Sequence, residues 1–160
     1  MTPKRDKLQD ALTALPHGPE FRFLDRLVSL DPGKSGVGEY KVRGDEYYLS
    51  GHLPGEPIFP GVLLVEACAQ LAGVVAQNDP VIKPLVRLKL TALRAVKILG
   101  SALPGETVLL EATIIGRLGL LVQATASATV AGVRVMSGEF TLSGTAPADC
   151  AETPIPGSSC

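Results

Sequence analysis

The chain has no tryptophan, and aromatic residues make up only 4% of its 160 residues. Its core must therefore be built mainly from aliphatic side chains, which dominate the 46% hydrophobic fraction. That fraction is ordinary for a globular protein, so disorder across the whole chain is not expected. The length suits one compact domain with a single core.

The chain also has no net positive charge and only three cysteines. The formal net charge of -1 argues against a dedicated nucleic-acid-binding protein, because phosphate contacts need clustered positive charge. Cys68, Cys150 and Cys160 form no CxxC pair and leave at least one thiol unpaired, which favours a reducing compartment. His, Cys and Asp show no metal-ligand spacing, and neither a metal nor another cofactor is expected.

Uninterrupted apolar runs are absent as well. Residues 1–10 are charged and lack an apolar stretch, so no secretory signal is expected at this end. The longest apolar stretch, 58–76, is broken by Pro60, Glu66 and Gln70 and is too polar to predict a membrane span. A soluble cytoplasmic protein with no membrane partner is the expectation.

Hydrophobic periodicity predicts two helices and a series of strands, which indicates an α+β domain. Leu8, Leu12 and Leu15 recur at helical spacing and predict a short N-terminal helix over 4–15, and a longer helix is predicted over 61–77. The Pro- and Gly-rich stretch 51–61 is expected to be a structured loop. Strands are predicted over 21–30, 35–42, 83–90, 91–99, 107–118, 120–130 and 133–142.

The helix predicted over 61–77 is apolar around most of its circumference and should be buried on nearly all sides. Residues 123–130 alternate between polar and apolar, and the alanines on their inner face suit close packing against a helix. An antiparallel sheet wrapped around one central helix is therefore expected. The single domain should span 1–143, and the tail over 144–160, rich in Pro, Ser, Ala and Gly, should be disordered.

Two residues in the middle of the chain form a candidate proton-transfer pair. His52 lies in the predicted Pro- and Gly-stiffened loop, where a neutral imidazole held in one orientation can accept a proton. Glu66 lies in the apolar helix, where desolvation favours its protonated form. A base and an acid tuned in this way can move protons in opposite directions.

Gly61 and Gln70 extend this constellation. The N–H of Gly61 follows Pro60 at the positive end of the helix dipole, where it can polarise a carbonyl group. Its missing side chain allows close approach of a ligand, and Glu66 lies roughly 7 Å further along the helix axis. Gln70 shares a stripe with Glu66 and is expected to orient it or to hold a water.

Each of these residues also has a structural interpretation. A lone histidine in a loop is more often a hydrogen-bonded structural residue, whereas a lone glutamate in a buried helix is costly unless it is paired or protonated. The presence of both His52 and Glu66 is stronger evidence for a catalytic function than either residue alone. Cys68 lies roughly 200° round the helix from Glu66 and is interpreted as a buried structural residue. His17, the other histidine, is interpreted as a loop or capping residue.

This segment resembles the signature of the 3-hydroxyacyl-acyl-carrier-protein dehydratases of the FabZ type. That signature combines a His-aromatic-Pro-Gly loop, a Pro-Gly helix start and a Glu-Ala-x-Ala-Gln helix. The matching residues here are His52-Leu53-Pro54-Gly55, Pro60-Gly61-Val62 and Glu66-Ala67-Cys68-Ala69-Gln70. A looser similarity extends over about residues 12–142, at Leu15-Pro16-His17, Phe23-Leu24-Asp25-Arg26, Asp31-Pro32-Gly33-Lys34, 94–99 and Pro104-Gly105-Glu106.

The resemblance implies a hotdog fold, in which a curved antiparallel sheet wraps a long helix. It implies a homodimer in which His52 of one subunit faces Glu66 of the other, and further association into a hexamer as a trimer of dimers. His52 would take the α-proton of a 3-hydroxyacyl thioester carried by an acyl carrier protein. Glu66 would help the β-hydroxyl leave as water, while the Gly61 N–H holds the carbonyl. The related isomerase-dehydratases usually carry Asp at the position of Glu66, so isomerisation is less expected.

The sequence departs from the family pattern at three places. Leu53 replaces the usual Phe, and Phe59 stands where Met is commonest; both are expected to line the acyl tunnel. Residues 18–20, Gly-Pro-Glu, replace the usual Arg-aromatic-Pro. These changes leave the expected chemistry intact and the chain-length preference open.

Basic residues without acidic neighbours mark the stretch 80–105. Two interpretations stand, a solvated strand face, which is slightly favoured, or a dock for an acidic carrier protein or the pantetheine phosphate. The basic residues are Lys83, Arg87, Lys89, Arg94 and Lys97. Two rival functions also remain, a hotdog thioesterase, which would have less use for His52, and a non-catalytic acyl-thioester-binding subunit.

Overall fold

The computed structural model describes residues 4–148, with side chains described from residue 7 onward. Its α-helices are α1 (Lys4–Ala11), α2 (Leu49–His52) and α3 (Gly61–Gln77), and 3-10 turns cover Leu12–Ala14 and Pro19–Phe21. Its strands are β1 (Arg26–Asp31), β2 (Ser35–Lys41), β3 (Val86–Ile98), β4 (Thr107–Leu118), β5 (Leu121–Val130) and β6 (Val133–Thr145).

The six strands form one antiparallel sheet in the order β1-β2-β4-β5-β6-β3. Strands β1 and β3 form its two edges, and β3 reaches its edge position by pairing with the last strand of the chain. Helix α3 packs against the sheet, with contacts to β2, β3, β4, β5 and β6. One long helix wrapped by an antiparallel sheet confirms the predicted hotdog architecture.

The core lies between α3 and the concave face of the sheet. Eleven residues of α3 are buried, as its all-round apolar sequence predicted. The inner face of β5 presents Ala124, Ala126 and Ala128, all buried, so the backbone of the sheet comes close to the helix. At Gly36 an added Cβ would lie 2.8 Å from Val75 Cγ2, so glycine is needed there for the helix to approach β2.

The N-terminal segment differs from the prediction. The helix predicted over 4–15 is α-helical only as far as Ala11, and a 3-10 turn then continues to Ala14. The strand predicted over 21–30 begins only at Arg26. The reason is visible at Phe23, whose N–H donates to the Gln70 side chain (2.8 Å) instead of to a neighbouring strand. A side chain of α3 thus replaces the ladder partner that the prediction assumed.

The strands predicted over 83–90 and 91–99 are in fact one strand, β3. Its register shifts at three places, and two of the shifts contain non-glycine residues with positive φ, Arg87 (+53°) and Ala95 (+52°). Such bulges bend a strand without ending it, so the interruption in the sequence pattern reflects curvature rather than a turn.

Strand β6 continues to Thr145, past the predicted domain end at residue 143. Residues 149–160, where most of the predicted disordered tail falls, lie outside the described residues. Within residues 4–148, no helix combines the length and the apolar character needed to cross a bilayer.

Candidate active site

Glu66 lies in the middle of α3 with 24% of its side chain exposed. Two side-chain nitrogens lie close to one of its carboxylate oxygens. Gln70 Nε2 lies 3.1 Å from Glu66 Oε1, which is the contact expected from the i, i+4 spacing. His17 Nε2 lies 3.3 Å from the same oxygen. The carboxylate of Glu66 is therefore held within one chain by a neighbour on its own helix and by a residue from the N-terminal segment.

The side chain of Gln70 holds both the Glu66 carboxylate and the segment that follows His17. It is the buried polar residue of the described core, with 2% of its surface exposed. Its Oε1 accepts from Phe23 N (2.8 Å), and its Nε2 donates to Phe21 O (2.9 Å) as well as to Glu66. The amide thus joins the segment that follows His17 to the face of α3 that carries Glu66.

His17 is the residue that sequence reasoning missed. The sequence predicts only a loop or capping role for it. The structure places its imidazole beside Glu66, 49 positions further along the chain. Arg22 Nη2 donates to its carbonyl oxygen (3.0 Å), and its ring centroid lies 6.2 Å from that of Phe21. The one available signal is its place in Leu15-Pro16-His17, which belongs to the looser family resemblance.

Glu66 and His17 line a mainly apolar pocket of about 210 Å³. The pocket lies between the N-terminal segment, α3 and the first part of β3. Beyond Glu66 its polar members are His17, Gln70, Gln77 and Arg87. The remaining lining residues are Ala14, Leu15, Pro16, Ala69, Gly73, Leu85, Leu88, Leu90 and Leu142. A carboxyl group at the side of an apolar pocket is the arrangement expected for a ligand with a polar head and a hydrocarbon tail.

Gly61 is the first residue of α3, so its N–H has no acceptor within the helix. The carbonyl of Pro60 accepts from Leu63 N (2.9 Å) and Leu64 N (3.2 Å), which closes the first turn. An added Cβ at Gly61 would lie 2.9 Å from Ile98 Cγ2, so a larger residue would displace the end of β3. The absence of a side chain at Gly61 therefore allows β3 to pass close to the helix start.

His52 is the last residue of α2 and is exposed. The structured loop predicted over 51–61 therefore begins only after His52, because residues 49–52 form a single helical turn. Glu46 anchors the approach to this turn by accepting from Arg43 N (2.8 Å) and Gly44 N (2.7 Å). Burial opposes ionisation of Glu46, yet these backbone N–H groups hold its pKa below the ordinary value.

His52 does not line the pocket that contains Glu66. The two predicted tunnel residues do not line it either. Leu53 follows His52 and is 41% exposed, whereas Phe59 is fully buried. The Phe59 ring packs against those of Phe23, Tyr40 and Tyr48, with centroid distances of 5.2–5.9 Å. The tunnel role of both residues stays a prediction.

The structure separates the basic residues of β3. Arg87 reaches the pocket, and its positive φ belongs to the first bulge of the strand. Arg94 instead pairs with Glu139 on β6, with Nη2 and Oε2 2.6 Å apart. Lys89 and Lys97 are exposed. Only one of the four predicted carrier-contact residues therefore borders the pocket.

Cys68 is fully buried, as expected for a structural residue, and burial raises the pKa of its thiol. It is therefore a poor nucleophile in the folded chain. Among the described residues, no group of three or more His, Cys, Asp or Glu side chains could hold a metal ion.

Residues 15–139 match the model of the FabA-like domain family. The 3-hydroxyacyl-[acyl-carrier-protein] dehydratase FabZ of Myxococcus xanthus is 33% identical over 132 residues, covering 82% of this chain and 86% of that protein. The chain belongs to the FabZ-type dehydratase family. The FabZ of a Roseiflexus species is 36% identical, covering 83% of this chain and 92% of that protein.

Solved structures agree with the fold of this FabZ-type chain. The dehydratase heterocomplex ApeI:P from Xenorhabdus doucetiae superposes with a TM-score of 0.71 at 16% identity, covering 85% of this chain and 91% of that one. A hypothetical thioesterase with coenzyme A from Streptococcus pneumoniae gives 0.54 at 16% identity, covering 74% and 84%. At such identities the likeness concerns the fold alone.

Proposed function

We propose that this FabZ-type protein is a hydro-lyase that removes water reversibly from a 3-hydroxyacyl thioester carried by an acyl carrier protein. The product is the trans-2-enoyl thioester, and the pathway is fatty-acid or related lipid synthesis in the cytoplasm. The observation that carries this proposal is the carboxyl of Glu66 at the side of an apolar pocket, held by Gln70 on one of its oxygens. Membership of the dehydratase family supports it.

The proposed reaction divides two proton movements between two side chains. His52 takes the α-proton as the carbon–hydrogen bond breaks and the double bond forms. Glu66 gives a proton to the β-hydroxyl as the carbon–oxygen bond breaks, so that water leaves. The N–H of Gly61 binds the thioester carbonyl, which gains negative charge as the α-proton departs. Return of the proton from His52 to Glu66 through water completes the cycle.

His52 does not line the pocket of its own chain, which supports a site shared between two subunits. Strand β3 is an unpaired edge of the sheet, and Leu93, Ile98 and Leu99 are between 47% and 63% exposed on it or just beyond its end. Val62, beside Gly61, is 69% exposed. An exposed apolar edge strand of this length is a pairing surface. We propose a homodimer through this edge that brings His52 to the partner's pocket, and a hexamer as its further assembly.

Arg87 is proposed as the first contact for the carrier. Its position at the pocket, together with exposed Lys89, offers positive charge where a pantetheine phosphate or an acidic carrier surface would arrive. Arg94 is a weaker candidate because its charge is already paired with Glu139. Lys97 lies further along the same exposed strand.

The direct test is incubation with 3-hydroxyacyl thioesters of several chain lengths on a carrier protein, with products followed by mass. We expect loss of water to give the enoyl thioester, and hydration in the reverse direction. His52→Ala should abolish turnover, and Glu66→Gln should impair it severely, since an amide has the same size but no carboxyl proton. Release of free carrier thiol without dehydration would favour a thioesterase, and binding without turnover would favour a non-catalytic subunit.

Mixed oligomers test the shared site. In a dimer with shared sites, one His52→Ala chain and one Glu66→Gln chain together contain one intact His–Glu pair. Equal co-expression and random pairing should therefore restore about one quarter of the wild-type sites. Activity of the mixture no higher than that of the two separate variants would place both groups of each site in one chain.

A further inference from the structure

The carboxylate of Glu66 is held asymmetrically. Both donors within the chain, His17 Nε2 (3.3 Å) and Gln70 Nε2 (3.1 Å), lie beside Oε1. Neither of these two contacts involves Oε2. A carboxyl oxygen that faces two N–H groups is the less favourable place for the proton, so the proton is carried by the other oxygen. The geometry therefore distinguishes the two oxygens before any substrate binds.

The environment of His17 also distinguishes its two ring nitrogens. Nδ1 is buried and has no hydrogen-bond partner among the described residues. A proton on a buried nitrogen without an acceptor is unfavourable, whereas a bare nitrogen there costs less. The favoured tautomer therefore carries its proton on Nε2, the nitrogen that faces Glu66. His17 then acts as a donor to Oε1 and not as an acceptor.

The position of His17 is set by the residues around it. Its carbonyl oxygen accepts from Arg22, and Gln70 ties the following residues, Phe21 and Phe23, to α3. The same Gln70 amide also donates to Glu66. One buried side chain thus fixes the carboxylate and the segment that presents the imidazole to it.

We propose that His17 is a positioning residue for the dehydration, a role that rests on the proposed function of Glu66. Its Nε2–H holds Oε1, so the proton that Glu66 delivers is carried by Oε2 and points to the leaving hydroxyl. His17 itself exchanges no proton in the reaction. With Gln70 alone on Oε1 the carboxyl group is held less firmly and its proton is shared between two directions, which lowers the rate of the chemical step more than it weakens binding.

Three substitutions at residue 17 separate this role from packing. His17→Gln places an amide nitrogen near the former Nε2, His17→Asn places it near the former Nδ1, and His17→Phe keeps the ring without a donor. We expect His17→Asn and His17→Phe to lower kcat roughly tenfold or more, with KM changed less than about twofold. His17→Gln should keep most of the wild-type kcat, and thermal unfolding of all three should show that the fold is intact.

Three kinetic results would overturn the proposal: wild-type kcat in all three variants, loss in His17→Gln as large as in His17→Asn, or a higher kcat on removal of the imidazole. The last would mean that the imidazole blocks the substrate. Wild-type turnover, measured in the same assay, reports separately on the dehydratase proposal.

A second readout needs no turnover. The chain has two histidines, so the imidazole nitrogens can be assigned by ¹⁵N NMR with His52→Ala as the reference. We expect the His17 spectrum to show a proton on Nε2 and to change in Glu66→Gln. A spectrum in which Nε2 carries no proton would overturn the proposal, even if the protein catalyses another reaction.

Discussion

Replacing Gln70 by leucine tests how far one buried amide stabilises both the fold and the site. Leucine has a similar volume, so the change removes hydrogen bonds without opening a large cavity. The substitution leaves two backbone groups without their partners, the N–H of Phe23 and the carbonyl of Phe21. It also removes the contact between Gln70 Nε2 and Glu66 Oε1.

The burial of the two backbone groups sets the expected loss of stability. Phe23 is 1% exposed, so its N–H cannot reach water and the loss is about 1–3 kcal/mol. Phe21 is 42% exposed, so its carbonyl can bond to water and the loss there is about 0.5–1.5 kcal/mol. The free energy of unfolding should therefore fall by about 2–4 kcal/mol.

Gln77 provides the matched control on the same helix. Its amide makes the same two kinds of bond, to Leu85 O (2.6 Å) and from Leu85 N (3.0 Å), but both residues are only half-buried. Gln77→Leu should therefore cost less, about 1–2 kcal/mol. Urea unfolding at fixed protein concentration gives both values from the shift in midpoint at constant slope. A loss in Gln70→Leu no larger than in Gln77→Leu would refute the reasoning.

Three further predictions concern single groups. Reversal of Arg87 and Lys89 to Glu should raise the KM for carrier-linked substrate about threefold or more at low salt. Reversal of Arg94, which is already paired with Glu139, should raise the KM less. Equal KM values in all variants would refute the proposed carrier-binding role of these residues. In a variant whose other two cysteines are replaced by serine, Cys68 should react with a thiol reagent only when the chain unfolds, because burial raises the pKa of its thiol. Rapid modification of the folded protein would contradict this prediction. The backbone N–H groups of Ile82 and Val81 lower the pKa of Asp79 in the folded protein. The charge of Asp79 therefore stabilises the fold above the pKa that Asp79 has in the unfolded chain. This stabilisation is lost as the pH falls through the lower pKa of the folded state. Asp79→Asn should therefore flatten the fall in unfolding midpoint between about pH 5 and pH 2, and an unchanged slope would count against this assignment.

Elements with a strong local pattern were predictable from the sequence. The helix predicted over 61–77 coincides with α3, and the strand predicted over 107–118 coincides with β4. Both sequences are long and strongly periodic or rich in β-branched residues, so local preference and tertiary packing agree. The contact between Glu66 and Gln70 followed from helix geometry in the same way.

Features that depend on distant contacts were not predictable. The pairing of His17 with Glu66 joins two segments that only the folded chain brings together. Phe23 has strand-like neighbours, yet its backbone bonds to a helix side chain, because Gln70 offers a buried acceptor at that place. Strand β3 is predicted as two strands that meet at residues 90 and 91, and one of its register shifts lies there, between Leu90 and Ala92.

The close approach of β5 to α3 has a consequence for substrate selectivity. Because Ala124, Ala126 and Ala128 bring the strand layer against the helix, the interior offers little room for a hydrocarbon guest on that side. The proposed acyl chain is then housed on the flank of α3 that carries Gly73, which lines the pocket together with Leu88. Mutations on that flank can therefore change the length of acyl chain that the protein accepts. The alanine-lined interior and the stability of the fold remain unchanged by them.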